Sequence, residues 1–145
     1  MSINAETEVA IAACRDEAWQ RLSDLPGYAG WNSRTRFDRP PVVGRAQPMR
    51  VKLFGLWLKV PVTIESCDID TGLRWRGGLP GLYTGSHYFR LESTGDDSCR
   101  LIQGEDFDGI MVPLLWPILK RELNGLYEGM NRELRGLFAD SGPPR

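Results

Sequence analysis

Three polar side chains interrupt an otherwise apolar pattern: His87, Gln103 and Glu105. His87 shares a side with Phe89 and Leu91, while Ser86, Tyr88, Arg90 and Glu92 take the other. Gln103 and Glu105 fall in the next alternating run, between Leu101 and Phe107, beyond the turn residues Thr94-Gly95-Asp96-Asp97. Strands joined by a short turn pair antiparallel, so register sets His87 opposite Gln103 or Glu105, with Cβ atoms roughly 4.5–5.5 Å apart. An imidazole beside a carboxylate in apolar surroundings forms a charge pair or a hydrogen-bonded couple. Such a pair can orient a ligand's hydroxyl or carbonyl, or move a proton as acid and base. It can equally be inert, because buried polar groups find partners and a histidine between strands is commonly a satisfied core residue. Glu105 has its own ordinary role as a carboxylate at the rim of the sheet, solvated or paired with an arginine. His87 is the chain's one histidine, which excludes metal sites built on several imidazoles.

Strands and a helix must position these groups. Glu6 to Ala12 alternates, with Thr7, Val9 and Ile11 on one face, and predicts a strand. Asp16 to Leu22 predicts a short helix with Ala18, Trp19 and Leu22 on its apolar side, ended by Pro26-Gly27; Tyr28 to Asn32 is a turn or single helical turn. Val51 and Leu53 share a face, as do Leu58, Val60, Val62 and Ile64, with a hairpin at Gly55 between the two runs. Leu73 and Trp75 alternate with Arg74 and Arg76, the arginines facing solvent; Gly77-Gly78-Leu79-Pro80-Gly81 then reads as a loop. These short runs predict an antiparallel meander with one buried face. From Val112 the period changes. At ~100° per residue, Leu115, Trp116, Leu119, Leu123, Leu126, Tyr127, Met130, Leu134 and Leu137 fall within about 120°, opposite Arg121, Glu128, Arg132 and Arg135. This is a long amphipathic helix beginning near Pro113, in which Gly125 and Gly129 suggest close backbone approach or slight flexing. Its stripe needs a partner, and the one-sided sheet supplies the surface.

Composition narrows the setting. The 145 residues fit one domain, 1–145, with a core from about 5 to 138 and loose ends at Met1–Asn4 and Ser141–Arg145. Eighteen Lys+Arg against 19 Asp+Glu leave a net charge of −1, so no overall basic field draws in nucleic acid or anionic lipid. Cys14, Cys67 and Cys99 are odd in number and widely spaced, which suits a reducing compartment and points to the cytoplasm. Ile11-Ala12-Ala13-Cys14 has the outline of a lipoprotein cleavage site, but Glu6 and Glu8 occupy the place of a positive leader segment. The uncharged stretch Gly109 to Leu119 is too short to cross a bilayer as a helix and carries Pro113 and Pro117.

Several motifs in order resemble the START/Bet v 1-like superfamily, and within it bacterial polyketide cyclase/dehydrase-like and lipid-transport-like members. They are Ile11-Ala12-Ala13, Glu17-Ala18-Trp19-Gln20-Arg21-Leu22-Ser23-Asp24, Tyr28, Trp31-Asn32, Leu73-Arg74-Trp75, Gly81-Leu82-Tyr83, Gly85-Ser86-His87-Tyr88-Phe89, Glu105-Asp106-Phe107 and Val112-Pro113-Leu114-Leu115. The resemblance implies an α+β helix-grip fold: a curved antiparallel sheet of about seven strands around a long C-terminal helix, with two short helices after the first strand. It also implies a hydrophobic cavity between sheet and helix. Oxygenase subunits with the same grip use histidine-rich iron sites, which one histidine cannot build, so neither metal nor cofactor is expected.

Three functions are open at this point. One is a binding or transport protein for a small hydrophobic molecule such as a lipid, polyketide or aromatic compound, working as a monomer or weak homodimer. Its walls would be Leu53, Val62, Trp75, Phe89, Phe107, Leu119, Leu123, Tyr127 and Met130, with His87, Gln103 and Glu105 orienting a polar end. Trp57 and Leu79 would flank its portal or simply cap the sheet. The second is a cyclase or dehydratase using His87 and Glu105 as an acid/base pair. The third is a module acting on another protein through its outer surface. Fold does not choose among them.

Overall fold

The computed structural model describes residues 2–139. Its elements run β1 (Ser2–Ile11), α1 (Arg15–Ser23), a 3₁₀ turn (Pro26–Gly30), β2 (Thr35–Phe37), β3 (Ala46–Leu53), β4 (Leu56–Asp68), β5 (Gly72–Leu79), β6 (Tyr83–Gly95), β7 (Ser98–Asp108) and α2 (Val112–Ala139). The strands form one sheet in the order β1-β7-β6-β5-β4-β3-β2, every neighbouring pair antiparallel. β2 to β7 is a continuous meander. β1 joins it at the β7 edge, so α1 and the 3₁₀ turn carry the chain from one edge of the sheet to the other. With α2 packed on β1, β7 and β3, this is the α+β helix-grip architecture.

Local chemistry explains the elements. α1 carries Asp16 and Glu17 in its first turn and Arg21 in its last, matching the helix dipole, and buries Ala18 and Leu22. The 3₁₀ turn begins at Pro26 and is fixed by buried Tyr28, whose hydroxyl donates to the Leu22 carbonyl at 2.6 Å. α2 buries Leu123, Leu126, Tyr127, Met130 and Leu134, while Arg121, Glu128, Arg132 and Arg135 face water. The helix continues through Pro117.

Three expectations need correction. Ser2–Asn4 is not a loose end: it pairs with Phe107, Asp106 and Asp108, extending the ladder that Ala5↔Glu105 continues. (Met1 and Ser141–Arg145 lie outside the described residues.) Gly77, Gly78 and Leu79 belong to β5, where they face Gly85, Thr84 and Tyr83, and only the residues after them turn. Gly78 marks a close approach, since a Cβ there would lie 2.2 Å from the Tyr83 carbonyl oxygen. Gly125 and Gly129 make no close backbone approach; the nearest atoms to a Cβ would be Arg34 Nη1 at 4.0 Å and Arg132 Nη2 at 3.8 Å. The three-residue strand β2 is too short to show a period in the sequence.

The interior divides in two. One cluster, toward α1, includes Leu22, Tyr28, Phe37, Ile64, Phe89, Leu101 and Leu134. The other, toward the start of α2, includes Ala5, Val51, Phe107, Val112, Leu123, Leu126 and Tyr127. Between them is a gap on the apolar side of the sheet, although Met49 and Val60 pack against both clusters.

Candidate functional site

A cavity of about 370 Å³ occupies that gap. It is within the size range of small-molecule sites. Its wall draws on both clusters and on six neighbouring strands, β2 to β7: Thr35 from β2; Met49, Val51 and Leu53 from β3; Val60 and Val62 from β4; Trp75 and Gly77 to Leu79 from β5; Tyr83, Gly85 and His87 from β6. β7 adds Gln103, Glu105 and Phe107, and α2 adds Leu123, Leu126 and Met130.

Strand glycines help make the space. A Cβ on Gly77 would come within 3.0 Å of Val62 Cγ1, and one on Gly85 within 2.0 Å of Glu105 Oε2. Any side chain at Gly85 would therefore have to move the carboxylate.

The polar residues gather at one wall. His87 sits directly opposite Glu105 in the β6–β7 ladder, with Nδ1 3.5 Å from Glu105 Oε1. Its Nε2 is 2.9 Å from Oε1 of Gln103, the diagonal neighbour. The orientation of Gln103 follows from its other contacts. Its Nε2 lies 3.2 Å from the Tyr127 carbonyl, which can only accept, and 2.6 Å from Asn131 Oδ1. Oε1 is thus left to accept, so His87 Nε2 carries the hydrogen and Nδ1 faces the carboxylate. The chain of bonds continues outward, since Asn131 Nδ2 donates to Thr7 Oγ1 at 2.8 Å and Thr7 Oγ1 to the Gln103 carbonyl at 3.2 Å.

Packing fixes the imidazole as firmly as hydrogen bonding does. The His87 ring stacks on the Trp75 indole at 5.0 Å and 14°, with the Tyr127 ring edge-on at 5.2 Å. The Tyr127 hydroxyl donates to Glu105 Oε1 at 2.5 Å. Burial, and then the charge of Glu105 beside it, push the Tyr127 phenol well above the usual tyrosine range, so it stays a donor. Tyr83, on the cavity wall, is raised by the same two causes. Among the described residues, Glu105 Oε2 receives no hydrogen bond and Glu105 is the single charged side chain on the wall.

Leu53, Val62, Trp75, His87, Gln103, Glu105, Phe107, Leu123 and Met130, each a candidate from the sequence, lie together on this wall. Phe89, Leu119 and Tyr127 do not. Phe89 is fully buried in the solid cluster behind Trp75, and Leu119 packs beside the other cluster. Tyr127 lies behind Glu105 and reaches the site through its hydroxyl. Other wall residues carried a usable signal: the alternation through Val51 and Leu53, carried back, gives Met49, and that through His87 gives Gly85 and Tyr83. Asn131 carried none, since it falls outside the apolar stripe of its helix.

No protein-family model and no curated protein sequence matches the chain. Solved structures do. A START superfamily protein from Mycobacterium smegmatis superposes with a TM-score of 0.76 at 17% identity, covering 96% of this chain and 99% of that one. The Zhui aromatase/cyclase from Streptomyces sp. R1128 gives 0.70 at 18% identity, over 99% and 100% of the two chains. A norcoclaurine synthase point mutant from Thalictrum flavum, in complex with a transition-state analogue, gives 0.68 at 17%, over 97% and 96%. The sheet order, the single long helix and these superpositions agree: the chain has the helix-grip fold of the START/Bet v 1-like superfamily.

Proposed function

We propose that this protein binds one small hydrophobic molecule in the cavity, and that the molecule's polar end is a hydrogen-bond donor directed at Glu105. The observation that carries the reading is the make-up of the wall among the described residues: apolar nearly throughout, with one carboxylate and neither lysine nor arginine. A ligand carboxylate entering this space would meet Glu105 with no cation to balance it, at a cost that low-dielectric surroundings magnify. A hydroxyl, phenol or amine meets an open acceptor instead. Among the classes suggested by the sequence, the wall therefore favours phenolic polyketides, other aromatics and alcohols over fatty-acid anions. Three free thiols support a reducing, cytoplasmic setting. We take the binding unit to be a monomer or weak homodimer, working without cofactor or nucleic acid.

The opposed His87 and Glu105 favour one further reading, an aldol-type cyclase or dehydratase. With Nε2 held by Gln103, the imidazole's Nδ1 is the position through which a proton would pass to or from Glu105 or a bound substrate. Two of the similar structures are described as enzymes, an aromatase/cyclase and a norcoclaurine synthase.

A thermal-shift and calorimetric panel of phenols, alcohols, amines and fatty acids tests the proposal. Phenols or amines should raise the melting temperature and fatty acids should not. Glu105→Gln, which keeps the shape and removes the charge, should weaken donor ligands about tenfold, the equivalent of one charge-assisted hydrogen bond. Equal binding of fatty acids, or an indifferent Glu105→Gln variant, would defeat the donor assignment. A compound recovered chemically altered indicates turnover, and one recovered intact indicates carriage.

A further inference from the structure

An antiparallel meander sends alternate turns to the same end of its sheet. The β3–β4 turn, the β5–β6 turn and the connection from β7 to α2 therefore share one end. Hydrogen bonds join them: Ile110 N–H donates to the Gly81 carbonyl at 3.1 Å, Met111 N–H to the Leu82 carbonyl at 2.9 Å, and Phe54 N–H to Glu122 Oε2 at 2.7 Å on α2. Leu53, Leu79 and Tyr83, at this end, also line the cavity.

This end is apolar on its outside. Of the eleven large apolar side chains exposed among the described residues, nine fall in segments 51–60, 77–85 and 109–121. Leu79 is 65% exposed, Ile110 76%, Leu114 66% and Ile118 63%. Such a concentration marks an interaction surface rather than the ordinary scatter of single apolar residues. The backbone adds an independent sign. Phe54 and Gly55 form the two-residue β3–β4 turn with φ of 52° and 76°. That conformation suits Asn-Gly, yet the first position holds a phenylalanine that is 55% exposed. An unfavourable turn residue presents an aromatic ring to solvent.

Charge identifies the partner. The same three segments carry four basic side chains, Lys52, Lys59, Lys120 and Arg121, and no acidic one. Of the acids that border them, Glu122 is paired with Arg34 at 2.5 Å, leaving Asp108. The net charge of −1 thus hides a local excess of positive charge around an apolar end. We propose that this end docks on the surface of an anionic lipid bilayer, inserting Phe54, Leu79, Ile110, Leu114 and Ile118 while the lysines meet the headgroups. The end of the cavity lined by Leu53, Leu79 and Tyr83 then lies against the membrane. The proposal stands apart from what the cavity holds.

Vesicle co-sedimentation of the ligand-free protein tests it. Equimolar phosphatidylcholine and phosphatidylglycerol vesicles should bind the protein, pure phosphatidylcholine should bind it more weakly, and added salt should lower the first toward the second. Phe54→Asn keeps or improves folding while removing the ring, and should reduce binding roughly fivefold. Leu114→Ser with Ile118→Ser should reduce it further, and Glu105→Gln should leave it unchanged. Absence of binding at low salt would overturn the proposal, as would wild-type binding by the Leu114/Ile118 variant. So would a homodimer, seen by sedimentation, that these substitutions dissolve in a protein indifferent to vesicles.

Discussion

Gln103 holds the polar wall together, because one amide meets a histidine, an asparagine and a backbone carbonyl at the same time. Replacing it with leucine keeps the volume and takes one hydrogen bond from each of three buried polar groups. Gln103→Leu should therefore cost about 1–3 kcal/mol in urea unfolding, and an unchanged midpoint would mean that the network is not formed. At this scale the strand period made the opposition of His87 and Glu105 legible, since it left two registers and the structure takes one of them. Gln103 is the most connected of the three in the structure. Its partners Asn131 and Tyr127 lie on α2, and no local spacing announces a contact across so many residues.

The elements were legible wherever a period could run. α2, β6 and β7 follow their patterns closely, whereas β2 has three residues and β5 ends in glycines that imitate a loop. Glycine is ambiguous by nature: it serves a turn through its freedom, or a wall through its lack of a side chain. Gly77 and Gly85 do the second, and only the paired strands reveal it. On α2 the ambiguity resolves the other way. Gly125 and Gly129 leave room for a Cβ at ordinary contact distance from its neighbours, so each should be replaceable by alanine with a gain of about 0.5–1 kcal/mol from helix propensity alone. Chemical denaturation of the double variant measures this, and a loss of stability would show that the helix needs to flex there.

For the whole molecule, tyrosine ionisation sets an alkaline limit. All four tyrosines, Tyr28, Tyr83, Tyr88 and Tyr127, are held above the usual range, with burial the leading cause in each. The folded protein keeps phenolic protons that the unfolded chain releases, so the contribution is complete below about pH 10 and declines as pH rises beyond it. Unfolding midpoints should fall between about pH 10 and 11 as phenolate absorbance appears on unfolding, and Tyr127→Phe should flatten that fall. A profile indifferent to Tyr127→Phe would remove this residue from the account. No described helix is long and apolar enough to cross a membrane.

Period, turn chemistry and motif order determined the meander, the long helix and the side of the sheet on which His87 and Glu105 lie, because these depend on neighbours in the chain. Tertiary structure alone decided that two apolar clusters flank a cavity, that its wall among the described residues has one carboxylate and neither lysine nor arginine, and that nine exposed apolar groups share one end. Volume and surface are properties of how distant segments meet, and a linear pattern carries neither.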